Sequence, residues 1–202
     1  PENEVKEADK GKGKISHLLK NSHFIKAVIA QLCYVGAQVG TWSYYIQYIQ
    51  DYTSGNEKTA GYILTGTLVA FGLGRFVSTY IMKFFNPIKL MAIYSFVNCI
   101  LILICIFFPG WIGVTAIFLT SFFMSVIFPT IFASGIKGLG QNTKLGGSLM
   151  VMAIVGAALF TPIMGIISMK TGSMAIAMAV PLFCYIIVTT YALKEKEYKM
   201  ND

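Results

Sequence analysis

The stretch IKLMAIYSFVNCILILICIFFPGWIGVTAIFLTSFFMSVIFPTIFASG, residues 88–135, contains a single charged side chain, Lys89, and a break at Pro109 and Gly110. On each side of the break the apolar run lasts for about 20 residues, the length that an α-helix needs to cross a bilayer. The length of these runs, and the absence of alternating polar positions, exclude the strands of a transmembrane barrel. The stretch therefore predicts two membrane-spanning helices joined by a short turn.

The composition of the whole chain agrees with a bilayer as its solvent. Of its 202 residues 55% are hydrophobic and 12% are charged, whereas soluble domains are about 25% charged. After Glu57 the next acidic residue is Glu195, so residues 58–194 contain no carboxylate side chain. This composition excludes a soluble enzyme, a disulfide scaffold and a disordered chain.

Long apolar runs bounded by Gly, Pro, Asn or charged residues predict six membrane spans. The fold class is therefore an all-α membrane protein, a bundle of six transmembrane helices. We expect a polar segment over residues 1–22, the bundle over 23–193 and a polar tail over 194–202. The predicted spans, numbered 1 to 6 in chain order, are residues 24–49, 59–82, 88–108, 111–135, 145–168 and 174–193.

The distribution of basic residues predicts the orientation, because lysines in short loops favour the cytoplasmic side. If the N-terminus is cytoplasmic, the outer side carries only Lys58 and Lys170. The inner side then carries Lys6, Lys10, Lys12, Lys14, Lys20, Lys26, Lys83, Lys89, Lys137, Lys144, Lys194, Lys196 and Lys199. We therefore expect a multi-pass protein of the inner (plasma) membrane with both termini in the cytoplasm.

The net charge of +7 does not indicate a nucleic-acid partner, because the basic residues are scattered over loops and tails without an aromatic-basic strip. Metal ligation is not expected either, since the four cysteines lie inside apolar runs without CxxC spacing.

The loop at residues 135–147 is glycine-rich, but it matches no phosphate-binding motif and is interpreted as a flexible inner loop. No catalytic residues are predicted, because no nucleophile, base or carboxylate pair is visible.

One face of span 1 combines amides with amphipathic aromatic rings. At 100° per residue the side chains of this face fall within an arc of about 80°. Such a face is typical of a sugar site, because rings cover the apolar C–H faces of a pyranose while amides bond its hydroxyls. Hydrogen bonding between helices is the alternative explanation. The residues of this face are Gln31, Tyr34, Gln38, Trp42 and Tyr45.

Spans 2 and 4 contribute hydroxyl groups, of which Thr65 and Ser125 are the candidates for sugar binding. Other residues suit structural or gating roles. Gly36 and Gly40, four residues apart, allow close helix packing, and prolines can kink a span. Arg75, the one basic residue well inside an apolar run, fits a clamp that bonds carbonyls near the cytoplasmic end, or a residue of the transport pathway. The prolines well inside spans are Pro129, Pro162 and Pro181.

Four stretches carry a family resemblance. They are AVIAQLCYVGAQVGTWSYYIQY (27–48), YILTGTLVAFGLGRF (62–76), MSVIFPTIFASGIKGLGQNTK (124–144) and VMAIVGAALFTPIMG (151–165). In this order they closely resemble the C-terminal half of L-fucose permeases, the fucose:H+ symporters of the major facilitator superfamily. The resemblance runs through all six spans.

The resemblance implies a twelve-helix transporter made of two six-helix halves, with the sugar site between them. Residues 1–22 would then be the cytoplasmic linker, and the six spans would be helices 7 to 12, with spans 1, 2, 4 and 5 lining the cavity. The resemblance further implies L-fucose or a related hexose as substrate, and the proton gradient, rather than a cofactor, as the energy source. In this family the proton-coupling carboxylates belong to the N-terminal half, which the resemblance does not cover. A Gln-Tyr pair expected before PTIF is replaced here by Ile127 and Phe128, and Phe128 is a further candidate for sugar binding.

Three other functions remain open at this point. The chain could be a transporter of the same family for glucose or galactose. It could also be a self-contained six-helix channel or structural membrane protein that forms homodimers. A membrane enzyme is the third alternative, for which the sequence offers no cluster of reactive groups.

Overall fold

A computed structural model describes residues 15–198 of the chain, with the side chains of residues 15–195. These residues form α-helices joined by short turns, with two short 3-10 turns, Gly140–Asn142 and Ala153–Val155. The helices are Ile15–Lys20, Ser22–Ser43, Tyr45–Tyr52, Glu57–Ile81, Pro87–Phe107, Trp111–Met124, Ile127–Ile136, Thr143–Met152, Gly156–Thr171, Met174–Ala177 and Ala179–Tyr198.

Six stretches of helix are long and apolar enough to cross a membrane, which confirms the predicted number and order of spans. Their bounds are Ser22–Ser43, Glu57–Ile81, Pro87–Phe107, Trp111–Ile136, Gly140–Thr171 and Met174–Glu195. The chain is a multi-pass membrane protein. From here on the names span 1 to span 6 refer to these bounds, with the helix Tyr45–Tyr52 as a short extension of span 1.

The ends of some elements differ from the prediction. Helix covers much of the glycine-rich stretch 135–147, because span 4 continues to Ile136 and span 5 starts at Gly140. The turn between them uses Gly138 and Gly140, whose φ angles of 78° and 51° suit glycine. The helix Ile15–Lys20 lies within the predicted linker. Residues 1–14 of that linker and residues 199–202 of the predicted tail lie outside the described residues.

Asparagine side chains mark where three of the spans begin. Asn21 Oδ1 accepts hydrogen bonds from the backbone N–H groups of His23 and Phe24. Asn56 and Asn86 cap spans 2 and 3 in the same way, and such caps bond amides that have no partner inside the helix. Local sequence therefore fixes the start of each of these helices.

Four of the six spans pack as a closed ring, and each of the other two spans packs on the outside of one ring member. Spans 1, 4, 3 and 6 form the ring in that order, span 2 packs on span 4, and span 5 packs on span 1. Spans 2 and 5 are the least covered, since 17% and 22% of their apolar windows are buried, against 44% or more in the other four. The bundle thus leaves most of spans 2 and 5 exposed.

Small residues bring spans 1 and 5 close together. A Cβ atom on Gly36 would overlap the ring of Phe160, and one on Gly40 would lie 2.6 Å from Met164 Sδ. A Cβ atom on Gly156 would overlap the carbonyl of Leu32. The spacing of four residues on both helices lets the two backbones approach along one line of contact. This contact places span 5 on the side of span 1 opposite its polar face, because Gly36 and Gly40 lie roughly 160° around the helix from Gln38.

Candidate functional site

The candidate site forms around a break in span 4. The helix Trp111–Met124 ends there and the helix Ile127–Ile136 begins, with Pro129 as its third residue. Because proline has no N–H group, the carbonyl of Ser125, four residues earlier, has no helical donor. Arg75 Nε on span 2 donates to this carbonyl at 3.3 Å. The neighbouring carbonyl of Met124 accepts the Tyr34 hydroxyl of span 1 at 2.8 Å. Side chains of spans 1 and 2 therefore bond the carbonyls at the break.

An aromatic wall joins spans 1, 2 and 4 next to this break. The ring of Trp42 meets Phe71 edge-on, with centroids 5.2 Å apart and planes at 90°. Trp42 Nε1 donates to Ser121 Oγ at 3.0 Å, and the Arg75 guanidinium carbon lies 5.1 Å from the Phe71 ring centroid. The wall holds one face of Trp42 in a fixed orientation and keeps the Arg75 cation against a π face.

Phe128 extends the aromatic surface along span 4. Its ring lies edge-on to Tyr34, with centroids 6.4 Å apart, and stacks on Phe132 with an interplanar angle of 8°. Phe128 stays half-buried, as does Gln38 on span 1. These two side chains and Trp42 are the predicted sugar-binding residues of the site that keep open surface.

Two polar groups of the site have hydrogen-bonding capacity left over. The amide of Gln38 makes no hydrogen bond within residues 15–195. Ser125 Oγ is buried and likewise has no partner among the described residues. A buried hydroxyl without a partner carries a free-energy penalty. The half-buried Gln38 amide can donate to and accept from a polyhydroxylated ligand, whereas Ser125 is 0% exposed and presents no surface to one.

Other candidate residues are buried or bond within the bundle. Tyr34 and Tyr45 are fully buried, and Tyr45 donates its hydroxyl to the Val114 carbonyl at 2.6 Å. Gln31 is also fully buried, and neither amide atom has a partner in the described part of the chain. Thr65 is exposed on span 2, where its hydroxyl donates to the Gly61 carbonyl at 3.0 Å. The structure therefore brings Gln38, Trp42, Ser125 and Phe128 together with Arg75, while Tyr45 and Thr65 bond elsewhere.

The three prolines do not act alike. Pro129 and Pro181 each occupy the third position of a helix, Ile127–Ile136 and Ala179–Tyr198, rather than the middle of a continuous helix. Proline is tolerated there because it leaves only one carbonyl of the preceding segment without a helical donor, that of Ser125 or of Ala177. Pro162 lies inside the unbroken helix Gly156–Thr171. The irregularity in span 5 is the 3-10 turn Ala153–Val155, which precedes that helix.

Two aromatic residues of the site, Phe71 and Phe132, were not singled out by the sequence patterns above. Each lies four residues from a candidate, Arg75 or Phe128, on the same helix. Residues four apart share a helix face. This spacing was the available signal, but it is common among apolar residues of any membrane helix and does not discriminate between them.

Within residues 15–195 no group of three or more His, Cys, Asp or Glu side chains lies close enough to hold a metal ion. The four cysteines are free and buried. The arrangement described above offers aromatic surface, amides, hydroxyls and one cation, a set of groups suited to binding a polar neutral ligand.

The bond between Arg75 and the span 4 break can be tested by a double-mutant cycle. We expect Arg75→Leu to lower the free energy of unfolding by about 1–3 kcal/mol, because the Ser125 carbonyl loses its donor. In the Pro129→Ala background the loss should be smaller, since the N–H of the new alanine can bond that carbonyl. Titration with a denaturing detergent measures both differences. Equal losses in the two backgrounds would show that Arg75 does not compensate for the proline.

Comparisons with known proteins give closely related transporters. The chain is 42% identical to the L-fucose-proton symporter of Escherichia coli (strain K12) over 181 residues, which cover 88% of this chain and 41% of that protein. It is 30% identical to the L-fucose-proton symporter of Haemophilus influenzae, covering 89% of this chain and 43% of that protein. A glucose/galactose transporter of Brucella abortus is also 30% identical, over 85% of this chain and 42% of its own length. No family model matches the chain.

The fold agrees with solved structures of the same transporter. A crystal structure of FucP, a major facilitator superfamily transporter, in the outward conformation matches with a TM-score of 0.89 and 40% identity, over 93% of this chain and 46% of that one. A variant of the Escherichia coli fucose:proton symporter matches with a TM-score of 0.87 and 41% identity, over 90% and 44%. The chain spans less than half the length of each of these relatives. It therefore has the sequence pattern and the fold of the C-terminal half of an L-fucose-proton symporter, a transporter of the major facilitator superfamily.

Proposed function

We propose that this chain acts as the C-terminal half of a secondary active transporter for proton-coupled uptake of L-fucose or a related hexose by alternating access. The observation that carries this proposal is the half-site at the break in span 4. There Gln38, Trp42 and Phe128 offer one amide and two aromatic surfaces that remain partly open. The proposed role is binding and gating, without chemistry on the substrate.

The chemistry of a hexose suits the half-site. Aromatic rings such as Trp42 cover the C–H faces of a pyranose, and the Gln38 amide can donate to one hydroxyl and accept from another. Thr65, which is exposed on span 2, adds a further hydroxyl in this proposal, whereas Ser125 is fully buried and would contact a sugar only after the helices around it move. Tyr34 and Tyr45 hold spans 1 and 4 in register through their bonds to the Met124 and Val114 carbonyls.

A second six-helix half is the proposed partner. The weakly covered spans 2 and 5 flank spans 1 and 4, so a partner bundle that packs on them would close the sugar site between the two halves. Such a partner would also supply proton coupling. Residues 58–194 contain no Asp or Glu, and a proton relay within a membrane uses ionisable side chains such as carboxylates. The proton gradient then supplies the energy, and no cofactor takes part.

A glucose or galactose transporter is the second candidate, because a relative of that name is 30% identical. The higher identity to an L-fucose-proton symporter, 42% against 30%, favours L-fucose. Position 128 departs from the tyrosine that the resemblance predicts, but the apolar ring of Phe128 still suits L-fucose, a 6-deoxy sugar that carries a methyl group where glucose and galactose carry a hydroxymethyl group. An additional hydroxyl placed against an aromatic ring without a partner costs about 1–3 kcal/mol.

Competition in sugar counterflow distinguishes the two candidates. The transporter is assembled by expressing this chain together with its N-terminal half, and unlabelled sugars compete with radioactive L-fucose. We expect L-fucose to compete roughly 5- to 150-fold more strongly than D-glucose or D-galactose, the ratio that corresponds to 1–3 kcal/mol. Stronger competition by D-glucose or D-galactose would assign the chain to the second candidate.

We also propose that both termini lie in the cytoplasm. Single cysteines at Ser54 and Thr171 should then react with an impermeant maleimide in intact cells, whereas cysteines at Asn86 and Gln141 should react only after permeabilisation. The background is expected to be low because all four native cysteines are buried. The opposite labelling pattern would reverse the proposed orientation.

A further inference from the structure

We propose that a groove between the start of span 1 and the end of span 6 binds the phosphate headgroup of an anionic phospholipid. The groove has a volume of about 400 Å³, within the range of small-ligand sites in proteins. Lys26 and Lys194 line it together with the aliphatic side chains of Ile29 and Ile187. It lies at the end of the bundle opposite the loop at Ser54, remote from the sugar half-site in the membrane-spanning region.

The charges that line the groove leave it positive. Glu195 is only 5% exposed, and its Oε2 lies 2.7 Å from Nε2 of His23, so this carboxylate is engaged by the imidazole rather than by a lysine. Within the described part of the chain neither Lys26 nor Lys194 belongs to an ion pair. Two ammonium groups are therefore available to a phosphate, which they would contact as point charges.

The groove changes from cationic to apolar in the direction of the membrane interior. Ile29 lies about one helical turn deeper than Lys26, and Ile187 about two turns deeper than Lys194. Ile29 is 49% exposed, so its aliphatic surface is open to a ligand. A phospholipid has the same order of groups, with a phosphate above acyl chains. A free phosphate would use only the rim, and a zwitterionic lipid would bring a cation toward the lysines.

Lipid binding to the 202-residue chain tests the proposal. The chain is purified in detergent, and the binding of phosphatidylglycerol and phosphatidylcholine is compared by native mass spectrometry. We expect the chain to prefer phosphatidylglycerol roughly tenfold, and Lys26→Gln/Lys194→Gln to remove the preference. Lys137→Gln/Lys144→Gln makes the same change in net charge in and next to the turn between spans 4 and 5, and it should leave the preference intact.

A variant of unchanged charge provides an independent test. Ile29→Trp should fill the groove and weaken phosphatidylglycerol binding at least about fivefold. Because Ile29 is exposed, the larger side chain should not unfold the protein. This variant decides the question if the double lysine variant does not remain monodisperse. The proposal is overturned if phosphatidylglycerol preference survives in both variants, or if the control lysine pair removes it equally. Displacement of the lipid by an equal concentration of inorganic phosphate would also overturn it, since the site would then bind a free anion.

Discussion

Trp42→Ala and Gln38→Ala should each weaken sugar binding by the assembled transporter roughly 5- to 150-fold, which corresponds to about 1–3 kcal/mol. Trp42 would lose the ring that covers one face of the sugar, and Gln38 would lose hydrogen bonds in a partly desolvated site. Calorimetry on purified, monodisperse protein measures the dissociation constant directly. The effect of Trp42→Ala on binding includes the loss of the hydrogen bond to Ser121 Oγ, which lies 3.0 Å from Trp42 Nε1.

Matched controls separate binding from packing. Trp111 is 53% exposed at the start of span 4, and Gln50 is exposed in the extension of span 1. Their alanine variants remove the same groups away from the half-site and should keep the sugar affinity. If Trp42→Ala and Gln38→Ala lower the melting temperature while the dissociation constant is unchanged, then the polar face of span 1 serves packing alone.

The six spans could be predicted from sequence because each depends only on the length of its own apolar run. A helix of about 20 consecutive apolar residues matches the thickness of the hydrocarbon core, whichever helices it packs against. The breaks inside spans could not be predicted in the same way. Span 1 is interrupted at Tyr44, between Ser43 and Tyr45, although no proline or glycine stands there. The Tyr44 hydroxyl donates to the Thr161 carbonyl of span 5 at 3.2 Å, a tertiary contact that no local pattern reveals.

The break does not change which candidate residues share a face. Tyr34 and Trp42 precede it and Tyr45 follows it, yet all three side chains bond groups of span 4, as the spacing of 100° per residue predicts. What the helical projection could not show is depth, since Tyr34 and Tyr45 are fully buried while Gln38 and Trp42 keep open surface.

The pairing of Arg75 with the span 4 break could not be predicted from sequence either, because it is also a tertiary contact. Pro129 shows in sequence that a carbonyl four residues earlier lacks its helical donor. Which side chain compensates depends on how span 2 packs against span 4. The clamp role expected for Arg75 was a general one, and the acceptor, the carbonyl of Ser125, could be identified only from the structure.

Uptake by the isolated chain in proteoliposomes tests the proposed half-transporter most directly. With an imposed pH difference and radioactive L-fucose outside, the 202-residue chain alone should accumulate no sugar above the level of empty liposomes. It lacks both the second wall of the site and any carboxylate between Glu57 and Glu195. The same chain reconstituted with its N-terminal half should accumulate L-fucose, and a protonophore should abolish that accumulation. Proton-dependent accumulation by the chain alone would contradict the account and would favour a self-contained homodimer of six-helix bundles.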